Sequence, residues 1–365
     1  MIYDLMVIGA GPGGCAAAIT AARAGMRVLL LERGRYPRQR VCGEFVSAEA
    51  LELLADLLSP DNLGVLRSAP RISQSRVFAD DCVLHLPISP PASSIPRFDM
   101  DQALWQSCLQ ARVDGHQSCT VQSVDGEGPF AVSTSLGMFQ SLSLVNAAGR
   151  WSFLTSSKIR VSASPEPWVG IKAHFFEADP SPTVDLYFFK GGYCGVQPVL
   201  LEDPNHSHGV VNACAMVKAK VATELLAVLN LHPALRSRSQ SWRVATELVR
   251  TSPLIFHKPE PVQRTILQVG DAATFVDPFI GDGISLALRS GVLAAECLVQ
   301  HRCGSSPQSA ATHYKMLYRR RLSPVFRAST VLRTLLKVPK VIRRPTISVL
   351  RHAPLLTRQM VRMTR

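Results

Sequence analysis

The sequence predicts an α/β fold: a domain wound on a βαβ unit, an antiparallel β-sheet inserted into it, and C-terminal helices. Three observations predict it. Gly9-Ala10-Gly11-Pro12-Gly13-Gly14 directly follows the apolar run Leu5-Met6-Val7-Ile8. Far along the chain, Val269-Gly270-Asp271-Ala272-Ala273 precedes Asp277-Pro278-Phe279-Ile280-Gly281-Asp282-Gly283-Ile284. Between them, alternating apolar and polar runs at Gly170–Phe175, Val184–Phe188 and Val210–Cys214 read as half-buried antiparallel strands.

Residues 3–33 read as strand, glycine turn, helix and strand. Ala16, Ala17, Ala18, Ala21 and Ala22 make a small-faced helix that can press on a sheet, and Arg27–Glu32 has the continuous apolar run of a buried parallel strand. A helix is expected from about Ala48 to Leu58. Residues 70–96, rich in Pro and Ser, read as an excursion around a short strand at Val83–Leu86. Helical spacing returns over Phe98–Val113, short strands over Cys119–Val145, and a strand–helix unit over Thr265–Cys297, its helix opening near Ser285. The expected division is a Rossmann-type cofactor domain (1–72, 97–160 and 262–300), a substrate domain (73–96 and 161–261) and a basic C-terminal helical segment (301–365).

Composition narrows the classes. The 365 residues are 47% hydrophobic and only 18% charged, below the usual quarter, which points to a greasy globular chain with a sizeable core. Nine cysteines show no CxxC pairing and no histidine clusters at metal spacing, so reduced thiols in a cytoplasmic protein are expected, with no metal site. The apolar N-terminus lacks a basic leader and is interrupted by glycines, unlike a signal peptide. No run of about 18 apolar residues is free of charges and turn signals, so no spanning helix is expected.

The glycines carry the chemistry. Gly9 allows a tight turn, Gly11 lets backbone approach a pyrophosphate, and Gly14 permits close helix–strand packing. The helix start offers N–H groups and the positive end of a dipole to phosphate. Glu32, closing the second strand, can accept hydrogen bonds from an unphosphorylated adenosine ribose. Asp271 stands where a carboxylate meets ribityl hydroxyls, and Gly281-Asp282-Gly283-Ile284 opens a helix toward a flavin pyrimidine edge. One βαβ unit holds a short dinucleotide; two distant clamps fit a long one, FAD. Arg38 and Arg40 read either as phosphate ligands or as a solvated basic loop.

With these residues in hand, a family resemblance emerges. Gly9–Gly14, Arg97-Phe98-Asp99, Ala147–Gly149, Gly270-Asp271 and Asp277–Ile284 resemble FAD-dependent oxidoreductases of the glutathione-reductase-like fold. Arg40–Ser47, Gly191–Pro198 and Asp277–Ser290 resemble their geranylgeranyl reductase-like branch. The resemblance covers about residues 1–300. It implies FAD contacts at Gly9, Gly11, Gly14, Glu32, Arg33, Arg97, Val121, Gly149, Asp271, Gly283 and Ile284. Flavin hydroxylases of this fold carry an Asp-Gly where Ala148-Gly149 stands here, which turns the reading away from them. The dispersed Trp105, Trp151, Trp168 and Trp242 argue against a flavin halogenase.

In the resembling reductases the loop equivalent to Cys42-Gly43-Glu44 lies near the isoalloxazine ring. Cys42 can then touch substrate or supply a proton and Glu44 can orient it, with Arg40 tuning the thiol; simple apolar packing of Cys42 is an equal reading. Tyr193 either lines the ring's far face or packs in the core, and His174 in its alternating strand reads more readily as a core or surface residue than as a base. No acidic residue follows Glu296, whereas Lys and Arg recur to Arg365. The segment 315–365 suits an anionic membrane surface on the cytoplasmic side, or else a helical cap; aromatics end at Phe326, which disfavours nucleic acid. The expected activity is FAD-dependent reduction of a carbon–carbon double bond in a hydrophobic, isoprenoid-like substrate. Hydride would come from flavin N5 and electrons from NAD(P)H or a reduced carrier protein. The alternatives are a monooxygenase acting on an aromatic or polyketide-like substrate, and a membrane-associated FAD-binding protein without that activity.

Overall fold

The computed structural model describes residues 1–79, 81–150, 166–201, 209–251, 254, 258–275, 281–302 and 306–323. Strand β1 (Ile2–Ile8) runs into α1 (Pro12–Arg23) and β2 (Val28–Leu31). β3 (Phe45–Val46), α2 (Ala48–Leu57) and the single turn α3 (Gly64–Arg67) lead to the hairpin β4 (Arg71–Ala79) and β5 (Cys82–Ser94). Then come α4 (Arg97–Gln110), β6 (Asp114–His116) and the meander β7 (Val121–Asp125), β8 (Phe130–Thr134) and β9 (Gly137–Asn146). A second run follows: β10 (Trp168–Glu177), β11 (Thr183–Phe189), β12 (Gly192–Val199), β13 (Gly209–Lys218), α5 (Leu225–Leu229) and α6 (Pro233–Arg238). Last are β14 (Arg243–Val244), β15 (Val249–Arg250), β16 (Val262–Gln263), β17 (Ile266–Gln268), α7 (Gly283–Gln300) and α8 (Pro307–Arg321).

These strands build two sheets. The first has the order β16-β17-β9-β1-β2-β6, with β7 and β8 attached through β9, and is parallel from β17 to β6. The second has the order β14-β10-β13-β12-β11-β4-β5-β3, with β15 on β10. The expected α/β architecture, an antiparallel sheet inserted into a Rossmann-type domain with helices at the C-terminal end, is what the chain adopts, with helices on one face of the first sheet and the β7–β8 meander on the other. The second sheet is antiparallel except where β11 lies parallel to β4.

Small residues bring α1 against α7. Gly13, Gly14, Ala16, Ala17 and Ala18 are all buried on α1. A Cβ added at Gly291 of α7 would sit 2.1 Å from the Gly13 carbonyl oxygen, so the two backbones touch. By length and composition α7 passes as a membrane-crossing helix, but 61% of its apolar window is buried inside the fold, as in a core helix. Its start at Gly283 is earlier than the Ser285 expected.

One element was misread. The region around Val83–Leu86 is no short strand but the 13-residue β5, despite Pro87, Pro90 and Pro91. Proline is tolerated where no ladder bond is needed. β5 meets β3 only at Ser93 and Ser94, and its pairing with β4 slips between Ile72 and Gln74, so the prolines sit along an edge and a bulge. The basic stretch 324–365 and Asp277–Ile280 lie outside the described residues.

The backbone contact at Gly291 makes a prediction. Gly291→Ala should lower stability by about 1–3 kcal/mol through overpacking, read as a reduced urea midpoint; an unchanged midpoint would refute the contact.

Candidate functional site

The site is assembled where the carboxyl ends of β1, β9 and β17 meet the starts of α1 and α7. Gly9 turns the chain with φ +99°, and a Cβ there would lie 2.5 Å from the Ala147 carbonyl oxygen. Gly14 packs so tightly that its Cβ would approach the Gly9 oxygen to 1.8 Å. Gly11 caps α1 and Pro12 follows at its first position, where the missing N–H costs nothing. The first helical bond is that of Cys15 N–H to the Gly11 oxygen, so the amides of Gly13 and Gly14 belong to the anion-facing turn.

Whether a long dinucleotide fits can be tested on the glycines themselves. An added Cβ would meet nothing within 4 Å at Gly11, Gly149 or Gly283. Glycines from three separate elements thus each leave the space beside their backbone free. Beside Gly149, which has φ +78°, Arg150 gives Nη1 to Asp271 (3.1 Å) and stacks on the Phe275 ring (4.3 Å), while its Nε is buried without a hydrogen-bond partner. The residues present fit FAD held at both ends.

Glu32 is buried and fully engaged. It accepts from Ala10 N–H (3.0 Å) and Gly34 N–H (2.8 Å) and pairs with Arg38 (2.8 Å). Burial works to raise its pKa, but Arg38 and the two amides hold the carboxyl below its ordinary range. Arg38 also lies over the Tyr36 ring, 4.9 Å from its centroid. Arg38 thus sits between Glu32 and Tyr36, with its Nε lacking a hydrogen-bond partner among the described residues. Arg33 and Arg40 are exposed. Arg97 gives Nε and Nη2 to Asp101 (2.8 and 2.7 Å), so any phosphate would meet its Nη1 edge. Val121 opens β7 at the end of the loop whose Cys119 N–H donates to the backbone carbonyl oxygen of Glu32 (2.9 Å). Asp271 is half-buried in the turn after β17, and Gly281 (φ +75°) abuts Phe45, whose Cδ1 would be 2.8 Å from an added Cβ. Ile284 is buried in the first turn of α7.

The loop Arg40–Phe45 crosses the inner face of the second sheet. Val41 fills the space over Gly170, and Asn212 Nδ2 holds the Cys42 carbonyl (3.0 Å). Glu44, expected in an orienting role next to Cys42, is wholly buried with φ +62°. It accepts from Arg97 N–H (2.9 Å), His174 Nε2 (2.9 Å) and the Lys172 ammonium. Burial opposes its ionisation, but Lys172 first and then His174 outweigh it and hold its pKa down. Burial pushes the Cys42 thiol up, opposite to activation by Arg40, which disfavours the thiolate.

Sequence reasoning gave Lys172 no role, and His174 is the hydrogen-bonded core residue that its alternating strand suggests. Alternation along β10 was visible, but the partner, Glu44, stands far away in sequence. Paired residues show the remaining inner-face rows: Lys172–Cys214–Gly195–Leu186, and Gly170–Met216–Tyr193–Phe188. Tyr193 is buried and packs with Met216 and Leu254, with Trp168, Phe188 and Phe275 against them. The described cysteines are all free thiols, and no metal-binding cluster occurs among the described residues.

Comparison with known proteins places the chain among FAD-dependent oxidoreductases. Residues 4–43 match the family described as FAD dependent oxidoreductase. The chain is 24% identical over 82% of its length to the 1H-pyrrole-2-carbonyl-[peptidyl-carrier protein] brominase of Pseudoalteromonas luteoviolacea, covering 77% of that protein. It is 27% identical over 81% of its length to digeranylgeranylglycerophospholipid reductase 2 of Methanopyrus kandleri, covering 76% of it. Among solved structures, the flavin-dependent brominase Bmp2 superimposes with TM-score 0.80 at 20% identity, over 100% of this chain and 93% of that one. A geranylgeranyl bacteriochlorophyll reductase-like protein from Thermoplasma acidophilum gives 0.74 at 20% identity, over 97% and 91%. These findings support an FAD-dependent oxidoreductase. Halogenases and reductases both stand among these relatives.

Two predictions follow from the geometry. Gly11→Ser keeps a good N-cap but fills the cradle, and should weaken FAD binding at least about tenfold in a fluorescence-quenching titration without lowering the apo melting temperature. A wild-type affinity would contradict the cradle. Glu44 titrates lower folded than unfolded, so its contribution is complete above the ordinary carboxylate range and is lost as pH falls through it. Glu44→Gln should melt lower at pH 7 and show a shallower decline between about pH 5 and 3; parallel melting curves would contradict the pairing.

Proposed function

We propose that the protein is an FAD-dependent reductase of a carbon–carbon double bond in a hydrophobic, isoprenoid-like substrate. The observation that carries this is the inner face of the second sheet. Trp168, Met216, Tyr193, Phe188, Leu186 and Leu254 make a nearly continuous apolar wall, and Phe275 joins it from the cofactor half. Such a wall offers apolar contact over a long stretch and almost no directional polar recognition, which suits a prenyl chain better than a small polar molecule. Trp168, Phe188 and Leu186 are only partly buried, which leaves contact surface for a ligand.

Bound FAD, once reduced, supplies the hydride. The chain's own residues do the rest. Gly9–Gly14, Arg97 and Gly149 hold the dinucleotide, and the wall aligns the substrate and excludes water. Cys42, neutral at ordinary pH, donates its thiol proton to the carbon opposite the hydride and recovers one from solvent. NAD(P)H or a reduced carrier protein is the electron source in this reading. Membrane association through the basic segment after Lys315 would bring a lipid-borne substrate to the wall.

A second reading, flavin-dependent halogenation, is favoured by the similarity to the brominase over 82% of the chain. One experiment separates the two. The bound flavin is reduced under anaerobic conditions and mixed with an unsaturated prenyl lipid, or with oxygen and bromide plus a pyrrole. The reductase reading expects flavin reoxidation by the lipid without oxygen, with a saturated product by mass spectrometry. Bromopyrrole formation with an inert lipid arm would overturn it.

A further inference from the structure

Glu44 is fastened at every polar atom. Its N–H reaches Cys42 Sγ (3.3 Å), and its carbonyl accepts from Ile95 N–H (2.9 Å). One carboxylate oxygen takes Arg97 N–H and the Lys172 ammonium, and the other takes His174 Nε2. A non-glycine residue at φ +62° persists only where its surroundings over-determine it. Here they do, from three directions: the start of α4, the Cys42 turn and strand β10.

The two side chains on β10 are themselves aimed. Lys172 is 1% exposed and also donates to Gln39 Oε1 (3.1 Å), the residue that begins the loop. Thr246 Oγ1 accepts from the His174 backbone N–H (3.1 Å) and lies 3.0 Å from His174 Nδ1. A carboxylate can only accept, so the His174 Nε2 that faces Glu44 is the donor there, while the Thr246 hydroxyl, able to donate or accept, steadies Nδ1. Lys172 and Glu44 cancel in charge. The loop beyond Glu44 continues to Phe45, which touches Gly281 just before α7.

We infer that Lys172 and His174 are positioning residues: by gripping the Glu44 carboxylate they set the Cys42–Gly43 turn beside the start of α7, where the flavin ring of the proposed holoenzyme would lie. The inference rests on the FAD reading only for the identity of the group beside the turn. The alternative is simple glue between the sheets. Glue predicts effects on stability alone, whereas positioning predicts effects on the turn and on the flavin's surroundings when stability is unchanged.

The test uses the full-length FAD-loaded protein. Cys42 alkylation by iodoacetamide is followed by peptide mass spectrometry, and the bound flavin is read by visible circular dichroism. The variant Glu44→Gln with Lys172→Met removes both charges together, which spares the fold an unpaired buried ion. His174→Leu removes one donor, and His174→Gln keeps an N–H at that reach. We expect the double variant and H174L to bind FAD yet label Cys42 about tenfold faster, with an altered flavin dichroism band. H174Q should match wild type in both. A folded double variant, or a folded H174L should the first not fold, with wild-type labelling and dichroism would overturn the proposal. Failure of the wild type to take up FAD would sink the cofactor reading, while the labelling ratio would still decide the grip.

Discussion

A carboxylate with no exposed surface joins the two halves of this molecule. Glu44 comes from the loop after the first βαβ unit, while Lys172 and His174 come from the second sheet. Burying an ion pair is costly, and breaking one by removing a partner costs about 3–5 kcal/mol. Such a contact specifies one arrangement: the loop must enter the second sheet in this register or leave a charge unpaired. Phe45-Val46 then pairs with Ser93-Ser94 at the sheet's edge, carrying the chain from one layer into the other.

Against that lock stands a second constraint, the backbone contacts among Gly9, Gly13, Gly14 and Gly291. They bring α1 close to β1 and α7 close to α1. Two features with different physics, side-chain charge and absent side chains, thereby converge on a single site. The Cys42 turn lies between them, bordered by Asn212 on one side and by Phe45 against Gly281 on the other.

Much of this was legible in the sequence because it depends on local spacing. The glycine turn, the acid at the end of β2 and the start of α7 each sit within a few residues of the strand that announces them. The β10–β13 alternation was equally readable. What stayed hidden depends on distance. Nothing near Glu44 says that its partners lie on β10, and nothing in β10 says that Lys172 points inward; a lysine in an alternating strand ordinarily faces water. β5 was shortened because three prolines argue against a strand, and only the pairing shows that they fall at an edge and a bulge. The apolar wall emerges only when the order β10-β13-β12-β11 brings Trp168, Met216, Tyr193 and Phe188 onto one face.

The proposed reaction rests on that wall and on the Cys42 thiol, since reductases and halogenases share this architecture. A crystal structure of the FAD complex tests the account most directly. The account predicts pyrophosphate density at Gly11–Gly14 and the ring between the start of α7 and the Cys42 turn, with Glu44 still bound to Lys172 and His174. A ring seated away from Cys42, or a Glu44 side chain turned out to solvent, would contradict it.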